Sequence, residues 1–278
     1  MRTSITFSAR SLLIGFLFMT IVGAGGTRAQ AEDPARPVEK ARRTYMGRIV
    51  AQPMSHLGAS WLVRPERNDE ENATEAFDQL GIERGMTLVD LGCGNGFWTL
   101  PMARACRIES DDQDAEKDGQ SDPTLNRNDG ETPDYSGEVL AVDIQREMLQ
   151  KLRANMAKAK VENIVPILGK VDDPNLPKNE VDLVLLVDVY HEFSHPESML
   201  WAIRESLKPK GVIALLEYRA EDPKVPIKPL HKMSKAQIIK EYTASKLKLV
   251  REYNELPWQH LMFFARDDSP LPAIEPKR

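Results

Sequence analysis

Cysteine is nearly absent from this chain, whose 278 residues include two, Cys93 and Cys106. One falls in a glycine-rich loop and the other at the far end of the helix expected to follow it. A rise of 1.5 Å per residue puts them on the order of 15 Å apart, beyond the roughly 7 Å between Cα atoms that a disulfide tolerates. The domain must therefore stand on its apolar core alone. A basic excess is also missing. Lys and Arg number 37 against 42 Asp and Glu, a net charge of −5, whereas a phosphate backbone calls for a basic face, so no nucleic-acid partner is expected. There is no CxxC pair, and nothing in the spacing of His191, His231 and Asp188 supports a metal centre, so none is expected.

What is present begins with a targeting signal. Arg2 and Arg10 bring positive charge to the N-terminus, the apolar run is Ser11–Gly26, and Ala29-Gln30-Ala31 has the small-x-small pattern of a cleavage site. A permanent membrane span needs about 20 apolar residues, and this run is short and glycine-rich. Residues 1–31 are therefore expected to be a signal peptide cleaved after Ala31, which exports the protein to the periplasm or another extracytoplasmic space. Left uncleaved, the same segment would anchor the chain at a membrane. Cleavage removes Arg2, Arg10 and Arg28 and takes the net charge from −5 to −8.

Residues 32–53 are polar, with Pro34 and Pro37, and are expected to be a linker. One or two helices are expected between Met54 and Leu80, where Ala76, Phe77 and Leu80 have helical spacing. Arg64, Glu66, Arg67 and the run Asp69-Glu70-Glu71 read as the solvated start of a helix. After Gly85 the pattern becomes alternating strand and helix. Strands are expected at 87–91, 138–143, 164–168, 181–189 and 212–218, and helices at 97–106, 145–159, 196–207 with Ser194 as N-cap, and 234–246. Met148, Leu149 and Leu152 are the core face of the second of these. Continuous apolar strands between helices imply a mostly parallel, doubly wound α/β sheet. Strands at 247–253 and 260–265 complete seven. The segment between these two is too short for a parallel crossover, so the last strand must be antiparallel. Residues 267–278 form a tail.

One segment is of different composition. Residues 109–138 hold eleven acids against Lys117 and Arg127, with almost no large apolar residue. That balance accounts for the negative charge of the mature chain and marks a disordered insert. A calcium loop is disfavoured because no Asp-x-Asp-x-Asp-Gly with a following Glu is present.

The stretch "VDLGCGNGFWTL" at 89–100 carries Gly92, Gly94 and Gly96. A glycine loop between a strand and a helix lets backbone N–H groups approach a polar or anionic ligand. The third glycine comes one residue early for the Gly-x-Gly-x-x-Gly fingerprint of dinucleotide sites, which disfavours a nicotinamide oxidoreductase. Asp90 precedes the loop, and Asp143 ends the next strand, where an acid takes up ribose hydroxyls. The unusually long interval from the glycines to Asp143 is explained by the acidic insert.

On these motifs the chain resembles the class I S-adenosylmethionine-dependent methyltransferases. "VDLGCGNG" is similar to their first motif, "VLAVDI" to their second, and the apolar "VDLVLLVDV" and antiparallel last strand also agree. "VDVYHEF", "EYRAEDPKVPIKPLHKM" and "LPWQHL" resemble a narrower group of bacterial predicted methyltransferases, several with signal peptides. The resemblance covers residues 54–266 and implies a Rossmann-like seven-stranded sheet with S-adenosylmethionine as cofactor. It implies that Gly92, Gly94 and Gly96 approach the methionine and ribose part, with Asp90 supporting the loop or the amino group. Asp143 would bind ribose hydroxyls, Ile144 would pack on the adenine, and Asp172 or Asp173 would meet the adenine amino group. Asp188, at the end of the fourth strand, would be a further cofactor contact.

Methyl transfer needs a positioned acceptor and often a base. His191 is the candidate base, oriented by Glu192, with Tyr190 lining the methyl channel. The structural alternative is that Tyr190 and Phe193 pack a helix while His191 and Glu192 satisfy local backbone groups. His231, in a proline-rich loop, is a candidate for the substrate rim, and His260 reads as structural. Trp61–Arg67 could fold over the cofactor as a lid. The acceptor is expected to be a small molecule. Because S-adenosylmethionine is made in the cytosol, an exported domain that binds the cofactor without catalysis stands as the alternative function.

Overall fold

Strands that are apolar on both sides require cover on both sides. The structure, a computed structural model, meets this with a seven-stranded sheet and helices on its two faces. It describes residue 41, residues 43–108 and residues 134–277. The expected signal peptide and most of the acidic insert lie outside the described residues. No described helix is long and apolar enough to cross a membrane.

A short hairpin, β1 (Thr44–Tyr45) and β2 (Arg48–Ile49), comes first, followed by a 3-10 helix at His56–Val63 and helices α1 (Arg67–Glu71) and α2 (Ala73–Asp78). The alternating part runs β3 (Leu88–Leu91), α3 (Thr99–Cys106), β4 (Val139–Asp143), α4 (Arg146–Ala159), β5 (Ile164–Leu168), β6 (Val181–Val187), α5 (Pro196–Ser206), β7 (Leu207–Tyr218), α6 (Lys235–Ala244), β8 (Leu247–Tyr253) and β9 (Gln259–Arg266). The sheet order is β5-β4-β3-β6-β7-β9-β8. The strands up to β7 are parallel, and β9 is antiparallel to both β7 and β8. The period-2 alternation of each strand sends Leu88, Leu183, Leu185 and Ala214 to a core shared with α3 and α4. Val89, Val184, Leu186 and Ile213 face the opposite core, with α5 and α6. Both cysteines are buried and free.

Several boundaries differ from the sequence-based expectation. Ser194 does not cap α5; His195 holds the N-cap position, and the Ser194 hydroxyl pairs with His195 Nδ1 at 3.0 Å. Ser234 does cap α6, accepting from the Gln237 N–H at 3.2 Å. Strand β7 begins at Leu207 with no loop after α5, and its register against β6 jumps from Val181↔Leu207 to Leu183↔Val212.

Residues 43–53 are docked on the domain instead of serving as a linker. Tyr45, Val50 and Ala51 are buried, and the Ala51 N–H donates to the His191 carbonyl at 3.1 Å. Arg48 donates to the same carbonyl at 3.0 Å and, through Nε and Nη2, to both oxygens of Glu241 at 2.7 and 3.1 Å. Glu241 is fully buried and also accepts from the Tyr190 hydroxyl and Gln237. A polar segment thus carries a cation that pairs with the buried Glu241 carboxylate.

Breaking a buried ion pair by removing one partner costs about 3–5 kcal/mol, because the other charge is left uncompensated. Arg48→Met is therefore expected to lower the unfolding free energy by about 3 kcal/mol in urea titration, and adding Glu241→Gln should recover part of that loss. A loss under about 1 kcal/mol would show that the hairpin is not held this way.

Candidate active site

Chain order reverses at β3, which has β4 on one side and β6 on the other. In a doubly wound sheet this switch point leaves a crevice outside the carboxyl ends of the strands. A cavity of about 540 Å³ lies there, within the roughly 300–1,000 Å³ of small-molecule sites.

The floor is the glycine loop. Gly92, Gly94 and Gly96 have φ of 82°, 55° and 94°, the left-handed region that favours glycine. A Cβ on Gly92 would stand 2.7 Å from Val189 Cγ2, and one on Gly94 2.6 Å from Leu62 Cδ1. Gly92 and Gly94 line the cavity. Gly96 packs on α4 instead, where a Cβ would be 2.6 Å from Leu152 Cδ1. Asp143 ties this loop to the end of β4: one oxygen accepts from the Gly94 N–H at 3.0 Å and the other from the Gln145 N–H at 2.8 Å. Each oxygen retains a second lone pair, and the residue lines the cavity. Burial raises its pKa against the lowering effect of the Gln145, Gly94 and Ile144 amides.

Asp90 sits beneath the loop and outside the cavity lining, accepting from the Thr99 hydroxyl at 2.5 Å. Burial pushes its carboxyl up to about 6. It supports the loop from behind. Asp188, just past β6, lines the cavity with φ 51°. Its Oδ2 accepts from Gln259 at 2.8 Å, while Oδ1 is buried without a hydrogen-bond partner. Burial, with Glu71 and Glu217 close by, drives its pKa well above the ordinary carboxylate value. Burial and the two neighbouring acids thus favour its neutral form, and the nearby Arg67 guanidinium works against them.

The N-terminal segment forms the outer wall. Arg64, Arg67 and Glu71 were expected on a solvated helix start, yet Arg67 and Glu71 are buried. Arg64 and Arg67 each donate to Glu71, at 2.6 and 2.8 Å, and Tyr218 donates to it at 2.7 Å. This clamp holds Trp61, Leu62 and Arg67 against the cavity. Gln145 adds a second fastening, donating to the Met54 carbonyl at 2.9 Å and accepting from the His56 N–H at 2.8 Å.

The far wall carries the histidines. The His191 ring meets Glu217 through Nδ1 at 2.7 Å, and the His191 backbone N–H donates to the other Glu217 oxygen at 3.1 Å. Glu217 is fully buried. It, and not Glu192, orients the ring; Glu192 Oε1 is 3.9 Å from His191 Nε2. Burial lowers the His191 pKa, but the charge and hydrogen bond of Glu217 outweigh it and hold the imidazole above its usual range. Glu192 is pushed up to about 7 by burial. His231 Nδ1 lies 3.0 Å from His191 Nε2. Burial, then the charges of His191 and Lys228, lower the His231 pKa.

Other expected residues fall differently. Ile144 lines the cavity and is 41% exposed, an apolar surface open to a ligand. Neither Asp172 nor Asp173 lines it; Lys170 and Val171 form the wall there, and Asp173 Oδ1 accepts from the Asn175 N–H at 2.9 Å. Tyr190 is fully buried, packs edge-on against Phe193 and Tyr242, and donates to Glu241, so it belongs to the core and not to a channel. Met148, read as core alone, also reaches the cavity. His260 pairs with Glu221 at 2.9 Å, away from the cavity lining. Glu217 and Gln145 went unrecognised, since a single acid or amide near a strand end carries no spacing signal, and Glu71 was read only as part of a solvated acidic run.

This sheet order with its antiparallel last strand and glycine-loop cavity defines the class I methyltransferase fold. The methyltransferase-domain family matches residues 82–260, more than half of the chain, and the chain belongs to that family. No curated protein matches the sequence. Among solved structures, an S-adenosylmethionine-dependent methyltransferase from Aquifex aeolicus is similar at 18% identity and TM-score 0.61, covering 76% of this chain and 98% of its own. A protein from Pyrococcus horikoshii is similar at 15% identity and TM-score 0.53, covering 74% and 93%.

The buried Asp90 gives the site a measurable pH signature. Its folded pKa of about 6 lies above the ordinary 3.8, so its contribution to stability is fully present below 3.8 and is lost as pH rises through about 6. The separation corresponds to roughly 3 kcal/mol. Thermal unfolding of Asp90→Asn, measured in steps from pH 4 to 7, is expected to lack this decline; an unchanged pH profile would count against it.

Proposed function

We propose that the protein is an S-adenosylmethionine-dependent methyltransferase acting on a small-molecule acceptor. The observation that carries this reading is Asp143, held by two loop amides at the edge of a glycine-floored cavity that runs on to the His191–Glu217 pair. When bound, S-adenosylmethionine supplies a methyl group on a positively charged sulfur.

In this reading Gly92 and Gly94 admit the ligand to backbone contact, Asp143 holds ribose hydroxyls with its remaining lone pairs, and Ile144 covers the adenine. Lys170 and Val171 take the place at the adenine edge that Asp172 or Asp173 was expected to fill. The acid-rich corner at Asp188 receives the positive charge of the cofactor. Trp61, Leu62, Pro226 and Ile227 exclude water from the acceptor side. Glu217 accepts from His191 Nδ1 and leaves Nε2 facing the cavity, where it receives the acceptor proton. A module that only bound the cofactor would have no use for this second, polar half of the cavity, which favours catalysis over sensing. The N-terminal signal pattern supports export, and the net negative charge supports a small acceptor over nucleic acid.

Ligand at 100 times its dissociation constant stabilises by about 2.7 kcal/mol, roughly 5–10 °C in melting temperature for a domain of this size. S-adenosylmethionine and S-adenosylhomocysteine are expected to produce such a shift, NAD none, and Asp143→Ala should abolish it. Transfer of labelled methyl across a panel of thiols, phenols and amines, lost in His191→Ala, checks the catalytic half. Tight cofactor binding without transfer to any acceptor would favour the sensing module.

A further inference from the structure

Two neighbouring side chains and a third from a distant loop meet at one wall of the cavity. His191 and Glu192 follow β6, and His231 arrives from the loop after β7. His191 Nε2 and His231 Nδ1 are 3.0 Å apart, and Glu192 Oε1 is 3.9 Å from each. The donor atoms all lie within 4.8 Å of one another. His195 stands four residues from His191, a familiar ligand spacing, but it pairs with Ser194 and is not part of the cluster.

Glu217 completes a recognisable arrangement. It pairs with His191 Nδ1 at 2.7 Å, which leaves the Nε2 lone pair toward the cluster. Metal-binding histidines are held in this way, with a carboxylate behind the ring fixing tautomer and orientation. Two imidazole nitrogens 2.0–2.1 Å from one ion, 90–110° apart, are separated by about 2.9–3.4 Å. The observed 3.0 Å falls in that range, so the two nitrogens already stand at the separation an ion requires, and the rings need only turn to aim both lone pairs at it. Glu192 must close by about half an ångström to reach bonding distance, and the Met54 N–H already directs its Oε1 at 3.2 Å. The carboxylates of Asp188 and Glu217 offset the charge of an ion, and Lys228 opposes it.

We propose that His191 Nε2, His231 Nδ1 and Glu192 Oε1 bind a divalent transition cation of the zinc class, with Glu217 supporting His191. Two imidazoles and one carboxylate suit zinc or cobalt better than magnesium or calcium, which prefer all-oxygen sites. Three protein ligands leave a position open to the cavity, as in catalytic zinc sites. This rests on the methyl-transfer reading for the chemistry alone and replaces the base role of His191, whose Nε2 lone pair is then taken by the ion: the acceptor is a thiol or acidic hydroxyl. Its proton passes to solvent as the thiolate or oxyanion binds the ion. The electron pair of that anion then forms the new bond to the methyl carbon while the carbon–sulfur bond breaks. Its electrons return to sulfur, leaving neutral S-adenosylhomocysteine and the methylated acceptor.

The test uses the purified full chain after chelator treatment, titrated with zinc by calorimetry and with cobalt by visible absorption. One equivalent is expected to bind, with cobalt giving the intense ligand-field bands of a low-symmetry site. His231→Ala and Glu192→Gln should weaken zinc binding at least tenfold, and Glu217→Gln ten- to a hundredfold, whereas His195→Ala should leave it unchanged. His231 is on a rim loop, so its variant keeps the core intact and circular dichroism verifies this. Absence of stoichiometric binding, or unchanged affinity in His231→Ala, overturns the proposal. S-adenosylhomocysteine is titrated in parallel: its binding without zinc binding removes the metal site alone, and zinc binding without it removes the methyl-transfer reading alone.

Discussion

Buried carboxylates at the carboxyl edge of the sheet are the constraint on which the rest depends. Asp90, Asp143 and Glu217 lie at or near the carboxyl ends of β3, β4 and β7, Glu71 joins them from α1, and Asp188 past β6 is half-buried with its Oδ1 enclosed. An acid out of water is tolerated only when something answers its charge or its lone pairs. Each is answered differently: Asp143 by two backbone amides, Glu71 by two arginines and a tyrosine, Glu217 by an imidazole, Asp90 by a threonine hydroxyl. Asp188 is answered on one oxygen only. Of the groups that balance these acids, Gly94, Gln145, Arg67, Tyr218 and His191 also line the cavity.

That requirement also sets the domain's extent. The sheet alone leaves Glu241 and the mouth of the cavity uncovered, and the N-terminal segment supplies Arg48, Met54 and the Arg64–Arg67 clamp. The family match begins at residue 82, so these fastenings are contributed by the part of the chain that precedes it.

The sheet was legible in the sequence because its strands are continuous apolar runs and its helices have apolar faces of regular period. Strand β5 was read to the residue, and the antiparallel β9 followed from the length of one connection. The glycine loop and Asp143 were legible for a similar reason: each stands at a fixed offset from a strand end. Residues whose role depends on a distant partner were not. Arg48 finds Glu241 across 193 residues and Glu71 finds Tyr218 across 147, and neither separation leaves a local trace. Glu192 was favoured as the partner of His191 because it is adjacent in sequence, but the turn at 190–192 points the ring to Glu217 on the neighbouring strand.

The most direct test of the account is calorimetric titration of S-adenosylmethionine into the full chain and into Asp188→Asn. If the acid-rich corner exists to meet a cationic ligand, the native chain binds one equivalent and the neutral substitution weakens binding by about tenfold or more, the range expected for a hydrogen bond to a charged group. Equal affinity in the two proteins, or no binding to either, would contradict it.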